Sequence, residues 1–373
     1  MASIKKQTSG RYQARYRDAT GREHAQRFDL KKDAQAWLDG VTSAVQTGTY
    51  VDPKAGRATV GALAPVWLQV KAGRVKPKTY AGYENLLRVH VAPRWRDVAV
   101  SSITTADVEA WVSQLTAGGL SASRTRQAYL VLKGVLDTAV KARNLAASPA
   151  HGVGLPRTPE STRRYLTMAE LESLADAAGE YAPLIRVLGY CGLRWGEAVA
   201  LTVAKCDLLR SRLVVDSTIV DIAGTLTAGT TKSGKRREVP VSRFLRDELA
   251  AHLAGKEPGD LVFPAPRGGY LRNSNFRRGY FDRAAKAAGL GGLVPHELRH
   301  TAASLAIRSG ANIKVVQTMM GHASATMTWD RYGHLYDDDL DAVAERLDAV
   351  RAEFLRTTCG QSADKAGNVV KLG

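Results

Sequence analysis

Pro295-His296-Glu297-Leu298-Arg299-His300 admits two readings, and the choice between them decides the fold. Proline suits the first turn of a helix, where its missing N–H leaves no intrahelical bond unmade. A helix is therefore expected over His296–Ser309. The run fits H-E-x-x-H, which sets two imidazoles four residues apart on one helix face, with the glutamate as a base beside a metal. It also supplies His296 and Arg299, three apart, whose donors suit a phosphate oxygen.

Three further signals lie in the same third of the chain. Gly192-Leu193-Arg194-Trp195-Gly196-Glu197 places Arg194 and Glu197 three apart, where they can share a helix face. Thr231-Lys232-Ser233-Gly234 puts a lysine at a hairpin turn. Gly321-His322 precedes Asp330-Arg331-Tyr332-Gly333-His334. A zinc protease would need a third ligand. The three-histidine form of its motif fails here, because Ala303 stands where it wants glycine and Ala306 where it wants histidine. Pro295 also puts His296 in the first helical turn, a poor place for a preset ligand pair. The zinc reading leaves Arg194, Lys232, Arg299 and Tyr332 without a role, and it stays as a minor alternative.

Phosphodiester cleavage uses all of them. Two arginines can clamp a phosphate in fork geometry. A tyrosine can attack phosphorus and keep the bond energy in a phosphotyrosine. A histidine can accept the phenolic proton, and a lysine at a turn can protonate the leaving 5′-oxygen. No metal or other cofactor is then required.

The ordered set Arg194, Glu197, Lys232, His296 with Arg299, His322 and Tyr332 resembles the catalytic domain of the tyrosine recombinases, the phage integrase family. The flanking GLRWGEAVAL, TKSGKRREVPVS and ATMTWDRYGHL runs are similar as well, and the likeness spans roughly residues 165–340. The resemblance implies a site-specific DNA recombinase, in its phage-type form an integrase, that forms a covalent 3′-phosphotyrosine. It implies Arg194, Glu197, Lys232, His296, Arg299, His322 and Tyr332 as catalytic residues, with Glu197 orienting rather than transferring protons. His322 to Tyr332 is ten residues where nine is common in the family, so Tyr336 is the alternative nucleophile. Lys235 is the alternative to Lys232, and His300 is left to packing or to supporting the site residues. A DNA-binding regulator with an inactive recombinase domain is the rival in another class.

The remainder of the chain fits this frame. It has 373 residues, 45% of them hydrophobic, and a net charge of +17. Residues 1–60 hold 11 basic and 6 acidic residues, 61–160 hold 13 and 6, and 161–373 hold 29 and 24. A positive surplus in every segment favours an extended polyanion, and double-stranded DNA is the simplest. No apolar run reaches membrane-spanning length. MASIKKQTSG has no apolar core for a signal peptide, and three scattered cysteines make no disulfide framework. A cytoplasmic protein is expected, with no membrane partner.

The expected fold is mainly α with small β-sheets, α+β and multidomain. Residues 1–55 read as a small sheet-plus-helix domain: a hairpin over 10–29 with Tyr12, Ala14 and Tyr16 on one face, a turn at Asp18-Ala19-Thr20-Gly21, then a helix carrying Leu30, Ala34, Trp37, Leu38, Val41 and Val45. Residues 59–150 read as four basic helices. Residues 160–356 read as a mixed α/β domain. It opens with a capping box at Thr167 and Glu170, has helices over Pro183–Leu193 and Arg194–Thr202, β-structure over 212–241, further helices at Arg243–Leu253, Ser274–Ala288 and Ile313–Met320, and a last amphipathic helix over Leu340–Phe354. That helix is expected to dock on its own core, with a neighbouring protomer as the other option. Residues 357–373 read as a disordered tail. By the resemblance these three domains would be arm-site binding, core-site binding and catalytic, the protein would form a tetramer on DNA, and an accessory DNA-bending protein and a directionality factor are possible partners.

Overall fold

The computed structural model describes residues 2–17, 21–47, 50–51, 54–159, 164–231, 234–336 and 339–363, with only the backbone for 339–342 and 357–363. The chain divides into two compact units, Met1–Glu160 and Ser161–Gly373.

The first unit contains two separate hydrophobic cores. Strands β1 (Ser3–Lys6), β2 (Tyr12–Arg17) and β3 (Glu23–Phe28) form an antiparallel sheet in that order, backed by helix α1 (Lys31–Gln46). The expected hairpin is there, but β1 adds a strand before it. SIKK is short and polar and carries too little alternation to be read as a strand; its pairing with Tyr12–Arg15 creates it. Alternation on β2 buries Ala14 and Tyr16 against Ala34 and Leu38 of α1. The expected turn residues 18–20 lie outside the described residues.

The second core of this unit is helical: α2 (Val60–Ala72), α3 (Pro77–Leu86), α4 (Ala92–Trp95), α5 (Thr105–Ala117) and α6 (Ala122–Lys141). A π-turn over Leu87–Val91 joins α3 to α4. Thr59, Thr104 and Ser121 cap α2, α5 and α6 with side-chain oxygens that accept orphan backbone N–H groups. Trp67, Trp95, Trp111, Leu132 and Leu136 fill the centre.

The second unit has helices α7 (Met168–Ala177), α8 (Ala182–Arg186) and α9 (Trp195–Ala198). Strands β4 (Cys206–Asp207), β5 (Arg212–Val215), β6 (Ser217–Ile222), β7 (Thr225–Thr230) and β8 (Arg237–Pro240) follow. Helices α10 (Arg243–Leu253), α11 (Asn273–Phe276), α12 (Asp282–Ala287), α13 (Pro295–Arg308), α14 (Ile313–Met320), α15 (Ala325–Tyr332) and α16 (Asp339–Ala363) complete it. The strands make two small sheets, β4-β5-β8 and β6-β7. The Thr167–Glu170 capping box opens α7 as the sequence predicts.

Several expected helices are shorter or interrupted. Over Pro183–Leu193, α8 passes into a π-turn, Val187–Cys191, and Gly192 at φ +66° ends it. In place of a helix over Arg194–Thr202 there is only α9, because Thr202 is drawn into an extended bridge with Leu261. A π-turn at Arg277–Phe281 splits the expected Ser274–Ala288 helix into α11 and α12.

The C-terminal helix corrects one expectation and qualifies another. Val343, Leu347 and Val350 on α16 line a groove with Ala311, Ile313, Trp329 and Tyr336 of the same domain but stay exposed, so the helix lies against its own domain without joining its core. The helix also continues to Ala363, so residues 357–363, expected to be disordered, are helical. Residues 364–373 lie outside the described residues.

Gly196 sets how closely α9 meets the β6-β7 hairpin. A Cβ there would lie 2.3 Å from the Ile219 carbonyl oxygen and 2.5 Å from Thr218 Oγ1. Gly196→Ala is expected to cost about 2 kcal/mol, because backbone rather than a flexible side chain must move. Urea unfolding checks this, and an unchanged midpoint would show that the hairpin yields freely.

Candidate active site

The site is built at the C-terminus of α14, where α13, α9, β8 and α15 bring side chains from distant parts of the chain. Asn312 caps the start of α14, and Gly321 at φ +60° closes its end in the left-handed conformation. His322 follows directly.

Glu197 stands at the centre and is 2% exposed. Its Oε2 accepts the Arg194 backbone N–H at 2.9 Å, and its Oε1 accepts Arg194 Nη1 at 2.8 Å. From the other side Arg237 donates Nη1 to Oε1 at 3.1 Å and Nη2 to Oε2 at 2.6 Å. Burial alone would raise the carboxyl pKa. The hydrogen bonds and charge of Arg237, then the backbone bond and charge of Arg194, overcome it and hold the group at about 2. Glu197 is therefore ionised and orients arginines. Arg194 also donates Nη2 to the Gly321 carbonyl at 3.3 Å.

Arg299 lies on the buried face of α13. It donates Nη1 to the Gly192 carbonyl and Nη2 to the Met320 carbonyl. Burial and the charge of Arg194 lower its pKa, and Glu197 opposes them. Its guanidinium stays charged at neutral pH.

Tyr332 ends α15 and is fully buried. Its hydroxyl pairs with His300 Nδ1 at 2.8 Å, and its ring lies 6.3 Å from that of His322 at an interplanar angle of 9°. His322 Nδ1 pairs with Thr328 Oγ1 at 2.9 Å, one turn before Tyr332 on the same helix. Burial, followed by the charges of Arg299, Arg331 and Arg194, lowers the His322 pKa to about 3, so this imidazole is neutral near pH 7. His296 is solvent-facing and meets the His300 ring edge-on at 5.2 Å. Partial burial and the same three arginines lower its pKa as well.

Arg194, Glu197, Arg299, His322 and Tyr332 thus fall in one cluster, with His296 at its edge through His300. Lys232 lies outside the described residues, as does Ser233. Lys235 is exposed, and its carbonyl accepts the Thr231 hydroxyl at 3.1 Å across the turn. Tyr336 turns elsewhere: its hydroxyl donates to the Ala311 carbonyl at 3.2 Å and its ring stacks on Trp329.

His300, expected to pack or to support the site residues, hydrogen-bonds the Tyr332 hydroxyl directly. One residue escaped the sequence reading: Arg237, although alternation places it on the inward face of β8 with Val239. An arginine on the apolar side of a strand was the signal available.

The metal reading of the HELRH run does not fit. The Glu297 carboxylate caps the backbone N–H of Val294 at 2.9 Å, and His300 Nδ1 is engaged by Tyr332. Among the described residues no group of three His, Cys, Asp or Glu side chains is placed to share a metal. Among them, too, no helix is long and apolar enough to cross a membrane.

Residues 164–339 match the profile of the phage integrase family. Residues 2–47 match the phage integrase N-terminal domain, and residues 59–116 its N-terminal SAM-like domain. The tyrosine recombinase XerD of Mycobacterium leprae is 31% identical over 231 residues, covering 56% of this chain and 69% of that protein. The chain belongs to the phage integrase family. A putative prophage phiRv2 integrase of Mycobacterium tuberculosis is 28% identical over 349 residues, 89% of this chain and 90% of that one. In fold, the chain is similar to a lambda integrase tetramer bound to a Holliday junction, with a TM-score of 0.60 and 20% identity over 87% of this chain and 96% of that one. As a family member the protein is a site-specific recombinase, an enzyme that cuts and rejoins DNA.

Proposed function

We propose that Tyr332 is the nucleophile of strand cleavage, and that the protein integrates or excises a phage or other mobile element. Tyr332 Oη attacks the scissile phosphorus, the P–O5′ bond breaks, and the 3′-phosphate stays on the enzyme as a phosphotyrosine. The phenolic proton passes to His300. The 5′-oxygen takes a proton from the lysine at the 231–235 turn, Lys232 by the family pattern. Arg194, Arg299, His296 and His322 hold the non-bridging oxygens, and Glu197 fixes Arg194. The observation that carries this reading is the Tyr332 hydroxyl on His300 Nδ1 at 2.8 Å, beside His322 and close enough to Arg299 to bear on its charge. Tyr332 is buried, so its hydroxyl meets a phosphate only after α15 shifts.

The test is covalent trapping. The protein is incubated in EDTA with a pool of nicked, random-sequence suicide duplexes, quenched in SDS, and the adducted peptide mapped. An adduct on Tyr332 supports the assignment. One on Tyr336 keeps the chemistry and moves the nucleophile, and loss of activity in EDTA would revive the metal reading.

Two duplexes exchanging strands need four protomers, so the working form is a tetramer on DNA. Its support is the exposure of Leu347 and Val350 on α16, apolar surface available to a neighbouring protomer. Deleting residues from Asp339 onward is expected to leave DNA affinity within about threefold and to cut strand exchange more than about tenfold. Gel shifts and a recombination assay decide it, and normal recombination would make the helix dispensable. Residues 1–55 are assigned to arm-type sites, 59–150 to the core site and 160–356 to catalysis. With two kinds of site on one duplex, a DNA-bending protein and a directionality factor are fitting partners.

A further inference from the structure

Met319, Met320 and Gly321 are consecutive, and their carbonyls accept from three different arginines. Arg237 Nε reaches Met319 at 3.1 Å, Arg299 Nη2 reaches Met320, and Arg194 Nη2 reaches Gly321 at 3.3 Å. These carbonyls end α14, where no intrahelical donor remains and the helix dipole is negative. Two of the three arginines belong to the proposed phosphate clamp. The third, Arg237, has no part in that chemistry.

Arg237 is placed differently from Arg194. Its side chain is 7% exposed against 24% for Arg194. It gives one proton of each Nη to Glu197 and its Nε to Met319, and at this burial its guanidinium is turned inward rather than toward solvent. Gly321 is shaped to receive it: a Cβ there would lie 3.0 Å from Arg237 Cδ, 3.1 Å from Nε and 3.2 Å from Cζ. Stability does not call for this arrangement, because a buried ion pair is often matched by apolar residues of similar volume. Geometry gives it a use. Arg237 ties the carboxylate that aims Arg194 to the helix end that holds Arg194 and Arg299 and launches His322.

We propose that Arg237 is a positioning residue for strand cleavage: it joins Glu197 to the α14 C-terminus, so that Arg194, Arg299 and His322 meet the phosphate as one rigid unit. This rests on the proposed reading of the site. Arg194 keeps its Nε and one proton on each Nη for the phosphate only while Glu197 holds it in place.

The experiment measures single-turnover cleavage by Arg237→Lys and Arg237→Met, on a saturating suicide duplex recovered from wild-type adducts. Cleavage is expected to fall about tenfold for Arg237→Lys and about 100-fold for Arg237→Met, with DNA affinity within about threefold of wild type. The pH profile separates positioning from a structural role. Around Glu197 the charged neighbours are Arg194, Arg237 and Arg299. Without Arg237, burial is opposed by less charge and the carboxyl pKa rises. Cleavage by Arg237→Met should then decline as pH falls below about 6, a limb absent from wild type and from Arg237→Met/Glu197→Gln.

Cleavage within threefold of wild type overturns the proposal, as does a loss accounted for by weaker DNA binding or equal at every pH. If Arg237→Met does not fold, Arg237→Lys keeps the buried charge and decides by the same threefold criterion. A wild type that forms no Tyr332 adduct refutes the reading of the site instead. Carbon-13 NMR of the Glu197 carboxyl then tests Arg237 without DNA: an unchanged titration in Arg237→Met overturns the inference, and a rise above about pH 5 supports it.

Discussion

Tyr332→Phe is expected to form no covalent adduct with DNA, with cleavage reduced by on the order of 10⁴-fold or more. The phenyl ring keeps the packing of a fully buried side chain against His322. What is lost is one hydroxyl, with its bond to His300 Nδ1, costing about 1–2 kcal/mol because a buried hydrogen bond is removed. DNA affinity should stay within about twofold, since binding rests on many phosphate contacts. SDS-resistant adducts, gel shifts and urea unfolding on one preparation test all three. An adduct that persisted in Tyr332→Phe would transfer the nucleophile to another tyrosine, with Tyr336 the first to map.

Glu197→Gln is expected to have the largest effect on stability. The folded carboxyl titrates at about 2 against an ordinary 4.5, and the depression is linked to roughly 3 kcal/mol of folding free energy. The sign follows from its direction. A group whose folded pKa is depressed stabilises the fold fully above its unfolded pKa and loses that contribution as pH falls through the folded value. The wild type should therefore exceed Glu197→Gln by about 3 kcal/mol near pH 7, with the gap closing between about pH 4.5 and pH 2. Paired urea titrations across that window measure it. A gap that did not change with pH would mean that the arginines are held by packing rather than by the carboxylate. The same variant should cleave more slowly, because its amide cannot satisfy Arg194 and Arg237 together.

Local signals were legible in the sequence wherever three or four residues settle the matter. Thr167 with Glu170, and the proline opening α13, mark helix starts through bonds within one turn. Asn312 and Gly321 bracket α14 in the same way. Elements that depend on distant pairing were not legible. SIKK becomes a strand only beside β2, and β8 pairs with β5 rather than with its neighbour β7. Helix over Arg194–Thr202 has acceptable local propensity, yet the Leu261 bridge claims Thr202. The apolar stripe on α16 was visible, but its exposure was not, because a stripe states what must be covered and not by what.

The sequence by itself determined the family, the identities of the arginines, histidines and tyrosine, and the helices that carry most of them. These are questions of residue type and short spacing. Only the tertiary structure decided that His300, not His296, touches Tyr332, that Tyr336 is turned to Ala311, and that Arg237 completes the arginine set. Those outcomes hang on contacts such as Arg299 to Gly192 and Arg194 to Gly321, each spanning more than a hundred residues. No local periodicity encodes such contacts. They exist because buried charges must be paired and the end of α14 offers the free carbonyls that pair them.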